Sequence, residues 1–236
     1  MVEERSHADA LADELRGEVL RGRYRPGDRL PSERELAARF AVNRLSAREA
    51  LQQLERLGLI EIRKGGARVA ALQDASPDVI AHLFEVGGAP DPALVEQWLD
   101  VSEILFTGAV RLALERASDA EIARARELLR GLLRAGTGGE DARYFAALDE
   151  LGDLIFAGAR NLVLRLIRNG LRANVLPRLQ GKRARLRPVR AELAELVRAI
   201  DDAVAARDPE RGQEAVRLLW RANRERILKS LRKERP

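Results

Sequence analysis

The chain has 236 residues, 46% hydrophobic and 33% charged, with a net charge of +5 and a pI near 10.1. That composition excludes a disordered chain, and no apolar run approaches the ~20 residues that a membrane helix needs. There is no cysteine, so disulfide frameworks and thiolate chemistry are excluded, which suits a reducing cytoplasm.

Met1-Val-Glu-Glu-Arg-Ser opens nothing like a signal peptide, so a cytoplasmic protein is expected. The cations are overwhelmingly arginine, whose planar fork matches phosphate and guanine, although a GC-rich genome gives the same bias. His7 to Arg21 places Ala8, Leu11, Leu15, Val19 and Leu20 at amphipathic-helix spacing, and Pro26-Gly27 is a turn signal. Ser32 is placed to cap a second helix, with Glu35 three residues on completing a capping box, and Leu36, Ala37 and Phe40 form its apolar stripe. Ala41-Val42-Asn43 is the break, and Asn43 is a good N-cap for a third helix. On that helix Leu45, Leu51, Leu54 and Leu57 are expected mainly on the inner side, leaving Arg44, Ser46 and Arg48 near its start. Arginines and small polar side chains on a helix's first turns are what the major groove of DNA requires. The competing reading pairs Arg34 or Arg48 with Glu33, Glu35 or Glu49 at helical spacing.

Gly58 ends the third helix. Leu59 to Arg63 alternates like a strand, Lys64-Gly65-Gly66 is a hairpin tip, and Arg68-Val69-Ala70 returns. Three helices followed by a hairpin make a winged helix-turn-helix. The tip glycines allow close approach to a phosphate or the minor groove, and they equally suit an ordinary type I′ turn.

Tyr24-Arg-Pro-Gly-Asp-Arg-Leu-Pro-Ser-Glu-Arg-Glu-Leu-Ala, then Val42-Asn-Arg-Leu-Ser-Ala-Arg-Glu-Ala-Leu, then Leu57-Gly-Leu-Ile and a Gly-Gly wing resemble the GntR family of bacterial transcription regulators. The resemblance covers roughly the first 70 residues. It implies double-stranded operator DNA as partner, with contacts from Arg34, from Arg44, Leu45, Ser46 and Arg48, and from Lys64, Gly65 and Gly66 of the wing. Leu45 departs from the family's usual Thr and would offer a thymine methyl an apolar contact.

After a linker over 73–92, with a short apolar turn around Ile80 to Val86, nearly every segment is helical in pattern. Leu94 to Leu114 is expected as a long helix with Leu94, Trp98, Val101, Leu105 and Leu112 on one face. Ser118 caps the next helix, which Gly136-Thr-Gly-Gly breaks, and Glu140 to Phe156 is another. Leu162 to Leu176 is very apolar and expected to be central. A basic interruption spans Pro177 to Pro188, and helices at Val189–Ala206 and Pro209–Leu231 close the domain, with a frayed tail from Lys229. The fold expected is therefore mainly α: a winged helix-turn-helix over 1–72, the linker, and an all-α effector-binding and dimerisation bundle over 93–232.

An all-helical domain behind a GntR-type head resembles the FadR subgroup, whose members act as homodimers on pseudo-palindromic operators. Most of that subgroup holds a divalent metal with one Asp and three His. Here its Phe-His pair falls on Leu151-Gly152 and its later histidines near Val197 and Leu219, so no tris-imidazole site and no cofactor are expected. The carboxylates that remain are Asp100, Asp149 and Asp153. Without a metal, a bundle lined by Leu105, Phe106, Leu151, Leu154, Ile155, Phe156, Leu164 and Ile167 suits an apolar effector. The subgroup's metal-free fatty-acid regulator takes acyl-CoA, which points to an acyl-CoA or another apolar organic acid, held by Phe106, Leu151, Ile155, Phe156, Trp220 and Asn223. Trp220 stands where that regulator has a small residue, so it could also fill the cavity. The basic run Arg178, Lys182, Arg183, Arg185, Arg187 and Arg190 suits CoA phosphates or a solvated loop.

Other readings fit the same sequence. The bundle could be ligand-free or take a small carboxylate, and the chain could be a helical interaction module without DNA binding. An enzyme is not expected: there is no Cys, neither His7 nor His82 lies in the bundle, and no Walker loop or Gly-x-Ser-x-Gly appears.

Overall fold

The computed structural model describes residues 6–86, 91–138, 140–179 and 190–233. The chain divides into two compact units, 1–90 and 91–236. In the first, α1 (His7–Leu20), α2 (Glu33–Phe40) and α3 (Arg44–Arg56) precede an antiparallel hairpin of β1 (Ile60–Arg63) and β2 (Gly66–Val69). The local signals act as expected. Ser32 N donates to Glu35 Oε2 at 2.7 Å and Glu35 N returns to Ser32 Oγ at 3.3 Å, closing the capping box of α2. Asn43 Oδ1 accepts from Ser46 N at 2.7 Å and starts α3. Between them Ala41 takes a left-handed conformation, φ 53°, which turns the chain sharply enough to set α3 across α2.

Leu11, Leu15, Leu30, Leu36, Leu54 and Ile60 are fully buried together and form the core of this unit. The segment after the Pro26-Gly27 turn covers the outer side of the wing: Leu30 N donates to Ala67 O at 2.9 Å, and Val69 N to Asp28 O at 3.0 Å. Within the expected linker, Leu72–Asp74 is a 3-10 turn and Val79–Leu83 is a short helix, α4. Val79 is buried in the same core and Leu83 packs against it, so this segment is part of the head's packing.

The second unit is helical throughout its described residues: α5 (Pro92–Arg116), α6 (Asp119–Gly138), α7 (Asp141–Gly158), α8 (Leu162–Leu179), α9 (Arg190–Ala206) and α10 (Pro209–Lys233). Leu114, Leu129, Leu132, Leu193, Val197 and Val216 form its main core, and Ala109, Phe156 and Ala159 a smaller one beside it. Asp91, Ser118, Asn161 and Asp208 cap α5, α6, α8 and α10 through their side-chain oxygens.

α6 ends at Gly138, inside the Gly136-Thr-Gly-Gly stretch expected to break it, and Gly136 itself is still helical. A Cβ on Gly136 would stand 2.3 Å from Leu193 Cδ2, so this glycine serves close helix packing. On α5 the buried face is Val95, Leu99, Ser102, Ala109, Val110 and Leu114, while Val101 is exposed and Leu94, Trp98, Leu105 and Leu112 are half-buried. The apolar stripe of that helix is thus wider than one face, and the inner face is carried partly by small residues. α8 is peripheral, because Leu162, Val163, Leu166 and Ile167 are all exposed. It continues through Pro177 to Leu179, three residues past its expected end. The tail is helical to Lys233, with Leu228 and Leu231 buried, so it is not frayed surface over that stretch. The basic run from Arg178 to Arg190 has its side chains outside the described residues.

Candidate nucleic-acid interface and effector cavity

The sequence of α3 makes it two-faced. Ala47, Ala50, Leu51 and Leu54 are buried against α1 and α2, which leaves Arg44, Leu45 and Arg48 exposed along the other side. Leu45 is 65% exposed, a correction to its expected place on the inner side. Its position one residue after Arg44 turns it toward solvent, and small Ala47 and Ala50 fill the interior instead. Ser46 is half-buried and its backbone N–H is held by the Asn43 cap. Arg34 is exposed on the first turn of α2.

Among the described residues none of Arg34, Arg44 and Arg48 makes an ion pair, so the competing pairing with Glu33, Glu35 or Glu49 does not form. The engaged cations of this unit lie elsewhere, such as Arg23 and Arg39 on Glu18 and Arg63 on Glu61. Free guanidiniums beside an apolar side chain make a surface able to fork onto guanine or phosphate while meeting a thymine methyl.

The wing narrows the expected basic set further. Arg63 pairs with Glu61, and Arg68 Nη1 donates to Gly27 O at 2.8 Å, which leaves Lys64 at the tip. Gly65 and Gly66 have φ 117° and 116° while Lys64 does not share a positive φ, so the tip is not a type I′ turn, which needs both central residues there. Gly66 also lies against Arg29, whose Nε would be 3.0 Å from an added Cβ.

In the helical unit a cavity of about 270 Å³ opens among α5, α6, α7, α8, α9 and α10. Phe106, Leu151, Ile155, Phe156, Trp220 and Asn223 all stand on its wall, with Leu105 and Leu154. Leu164 and Ile167 do not, the latter being 47% exposed on the outer side of α8. Trp220 lies 5.2 Å from Phe106, which meets Phe156 edge-on at 5.0 Å, and these rings line the space without closing it. Two polar atoms on this wall, Trp98 Nε1 and Asn223 Oδ1, are buried and have no hydrogen-bond partner among the described residues.

Of the three carboxylates noted in the sequence, Asp100 accepts from Arg224, and Asp153 from Arg168 and Arg172. Burial works to raise the Asp153 carboxyl, but the two guanidiniums outweigh it and hold it below the usual carboxylate range. Asp149 lies on the cavity wall with interactions of its own. Among the described residues no three His, Cys, Asp or Glu side chains converge as a metal site.

The chain matches two family models: bacterial regulatory proteins of the gntR family over residues 7–69, and the FCD domain over residues 97–222. The transcriptional regulator Mce2R of Mycobacterium tuberculosis (strain CDC 1551 / Oshkosh) is 32% identical over 229 residues, spanning 94% of this chain and 92% of that one. This chain belongs to the GntR family. It is a DNA-binding transcriptional regulator whose second unit is the effector-binding FCD domain of the FadR-like subgroup. The repressor NanR of Edwardsiella tarda is 35% identical over 120 residues, about half of each chain. Among solved structures, one described as Lar, which controls the expression of the Listeria monocytogenes agr system, aligns with a TM-score of 0.57. It is 15% identical, covers 96% of this chain and 99% of its own, and supports the fold.

The exposed side of α3 lies within the part matched by the gntR model, and the cavity within the part matched mainly by the FCD model. Two residues escaped the sequence reading. Arg168 and Glu18 take their character from burial, and only the folded packing supplies that.

Proposed function

We propose that this regulator binds a pseudo-palindromic operator as a homodimer, each head placing α3 in the major groove. Arg44 and Arg48 fork onto bases, Leu45 meets a thymine methyl, Ser46 contributes a small polar contact, and Arg34 and the wing residues Lys64, Gly65 and Gly66 fix register on the backbone. The observation that carries this reading is the unpaired, exposed row Arg44, Leu45 and Arg48 on a helix whose other side is buried. The dimer reading draws on apolar side chains left exposed in the bundle, Val101 and Ile104 on α5 and Leu162, Val163, Leu166 and Ile167 on α8.

The effector is an apolar organic acid, free or as its CoA thioester, taken into the cavity beside Phe106 and Trp220. Occupancy lowers operator affinity by no more than the effector's differential affinity for the two states of the protein. The protein works in the cytoplasm, catalyses nothing, and divides its tasks between a DNA-binding part over 1–72 and an effector-binding and dimerising part over 93–232. A gel shift on the region upstream of its own gene tests the first step. A shift that Arg44→Ala abolishes is expected, and no shift at low salt removes the reading.

A further inference from the structure

The wall of the cavity is mainly apolar, with polar side chains at Ser102, Glu121, Asp149 and Asn223 and cations on α8, where that helix crosses Gly152. There Arg168 reaches in, with its side chain 11% exposed and its guanidinium 4.9 Å from the centre of the Phe156 ring. Its Nη2 lies 3.0 Å from the point where a Cβ on residue 152 would stand, so glycine at 152 is what lets this cation rest on the α7 backbone. A guanidinium has five N–H donors. Among the described residues Arg168 uses one donor group, Nη1 to Asp153 Oδ1 at 2.5 Å, and Arg172 Nη1 reaches the same oxygen at 2.7 Å. Two cations thus share one carboxylate, that of Asp153.

A largely shielded planar cation with donors to spare, opening on aromatic and aliphatic walls, fits a ligand with a planar anionic head and an apolar body. We infer that the cavity takes a free carboxylic acid, its carboxylate forked onto Arg168 in competition with Asp153 and its body among Phe106, Phe156 and Trp220. This rests on the reading of the bundle as an effector domain and narrows it. A CoA thioester presents only a neutral carbonyl to Arg168. The volume limits length as well: 270 Å³ is roughly nine water volumes of ~30 Å³, so the body has on the order of ten heavy atoms. Because Asp153 lies on α7 and Arg168 on α8, the exchange of partners gives a bound acid a direct hold on α8.

Calorimetric titration of the full chain tests this, using straight-chain acids from hexanoate to dodecanoate, the matching alcohols, and decanoyl-CoA. A middle member of the acid series binds best, its alcohol binds at least ~10-fold more weakly, and decanoyl-CoA does not compete. Arg168→Met weakens the best acid about 10- to 100-fold. Asp153→Asn, at an exposed carboxylate, removes the internal competitor and tightens the acid, a gain that a poorly folded variant cannot give. Acid and alcohol binding alike, decanoyl-CoA binding as tightly as the acid, or an unchanged acid affinity in both variants overturns the Arg168 clamp and leaves the cavity as an effector site. If none of the three ligand classes binds, both the clamp and the effector reading of the cavity fall.

Discussion

Arg39 of α2 grips Glu18 of α1 at both carboxylate oxygens, and Glu18 is 1% exposed. Arg23 Nη1 adds a contact at 2.5 Å and the Tyr24 hydroxyl a long one at 3.4 Å. The cluster ties the first helix of the head to the helix that supports α3. Hydrogen bonds from Arg39 hold the Glu18 carboxyl below its ordinary value, against the opposing effect of burial and with help from the charges of Arg39 and Arg23. Because the folded-state value is depressed, this contribution is fully present above the unfolded value, about 4.3, and is lost as pH falls through the folded value. Glu18→Gln should therefore flatten the acid limb of the head's stability below about pH 5, measured by urea unfolding across pH. Arg39→Ala leaves Arg23 and Tyr24 in place and should cost about 1–3 kcal/mol at neutral pH. A wild-type acid limb in Glu18→Gln would show that another group sets it.

The exposed side of α3 predicts a separation between specificity and general affinity. Arg44→Ala and Arg48→Ala should each cost about 1–3 kcal/mol on the operator and much less on scrambled DNA, measured by fluorescence anisotropy at fixed salt. Leu45→Ser removes apolar area from a side chain that is 65% exposed, so thermal stability should stay within about 0.5 kcal/mol. Its operator affinity should fall nonetheless. Equal losses on both DNAs would make the arginines phosphate contacts.

What was legible in the sequence followed from local chemistry. Ser32 with Glu35, Asn43, Gly58 and the hairpin glycines announce their roles through spacing alone, and they mark out α2, α3 and the wing but not α4, whose Val79 joins the head's core. Leu45 was misplaced because a leucine on an amphipathic helix is assigned inward by default, although Ala47 and Ala50 are the residues the core accommodates. α8 was misread as central for the same reason: apolar composition marks a surface that needs covering and does not say by what. Among the wall residues, Leu105, Phe106, Leu151, Leu154, Ile155 and Phe156 follow from the apolar pattern of the bundle, and Trp220 and Asn223 from family likeness. Arg168 was missed because its importance depends on the glycine sixteen residues earlier and on Phe156, neither of which is a sequence neighbour.

Two glycines on α6 separate a packing role from a helix-breaking one. An added methyl at Gly136 would meet Leu193 at 2.3 Å and Tyr144 at 3.2 Å, whereas none of the described residues lies within 4 Å of one at Gly131. Gly136→Ala should destabilise the bundle by about 1–3 kcal/mol through overpacking. Gly131→Ala should stabilise it by about 0.5–1 kcal/mol, since alanine restricts the unfolded chain and favours the helix. Thermal unfolding followed by circular dichroism distinguishes the two. If both variants gain stability, the contact between α6 and α9 is looser than the glycine spacing indicates.

The exposed apolar residues of α5 and α8 make the dimer proposal testable. Ile104 is 70% exposed and Leu166 59%, and burying a side chain of this size contributes about 1.5–3 kcal/mol. A charge at either position costs the monomer little, because each already faces water, but it must be desolvated if the surface is covered in a dimer. Ile104→Glu and Leu166→Glu should therefore leave the thermal melt at high dilution unchanged and shift the mass seen by light scattering from two chains to one. Operator affinity should fall with it, since two linked heads bind a two-part site far more tightly than one. A mass of two chains in both variants places the seam on another surface, and a mass of one chain in the wild type removes the homodimer while leaving the reading of α3 intact.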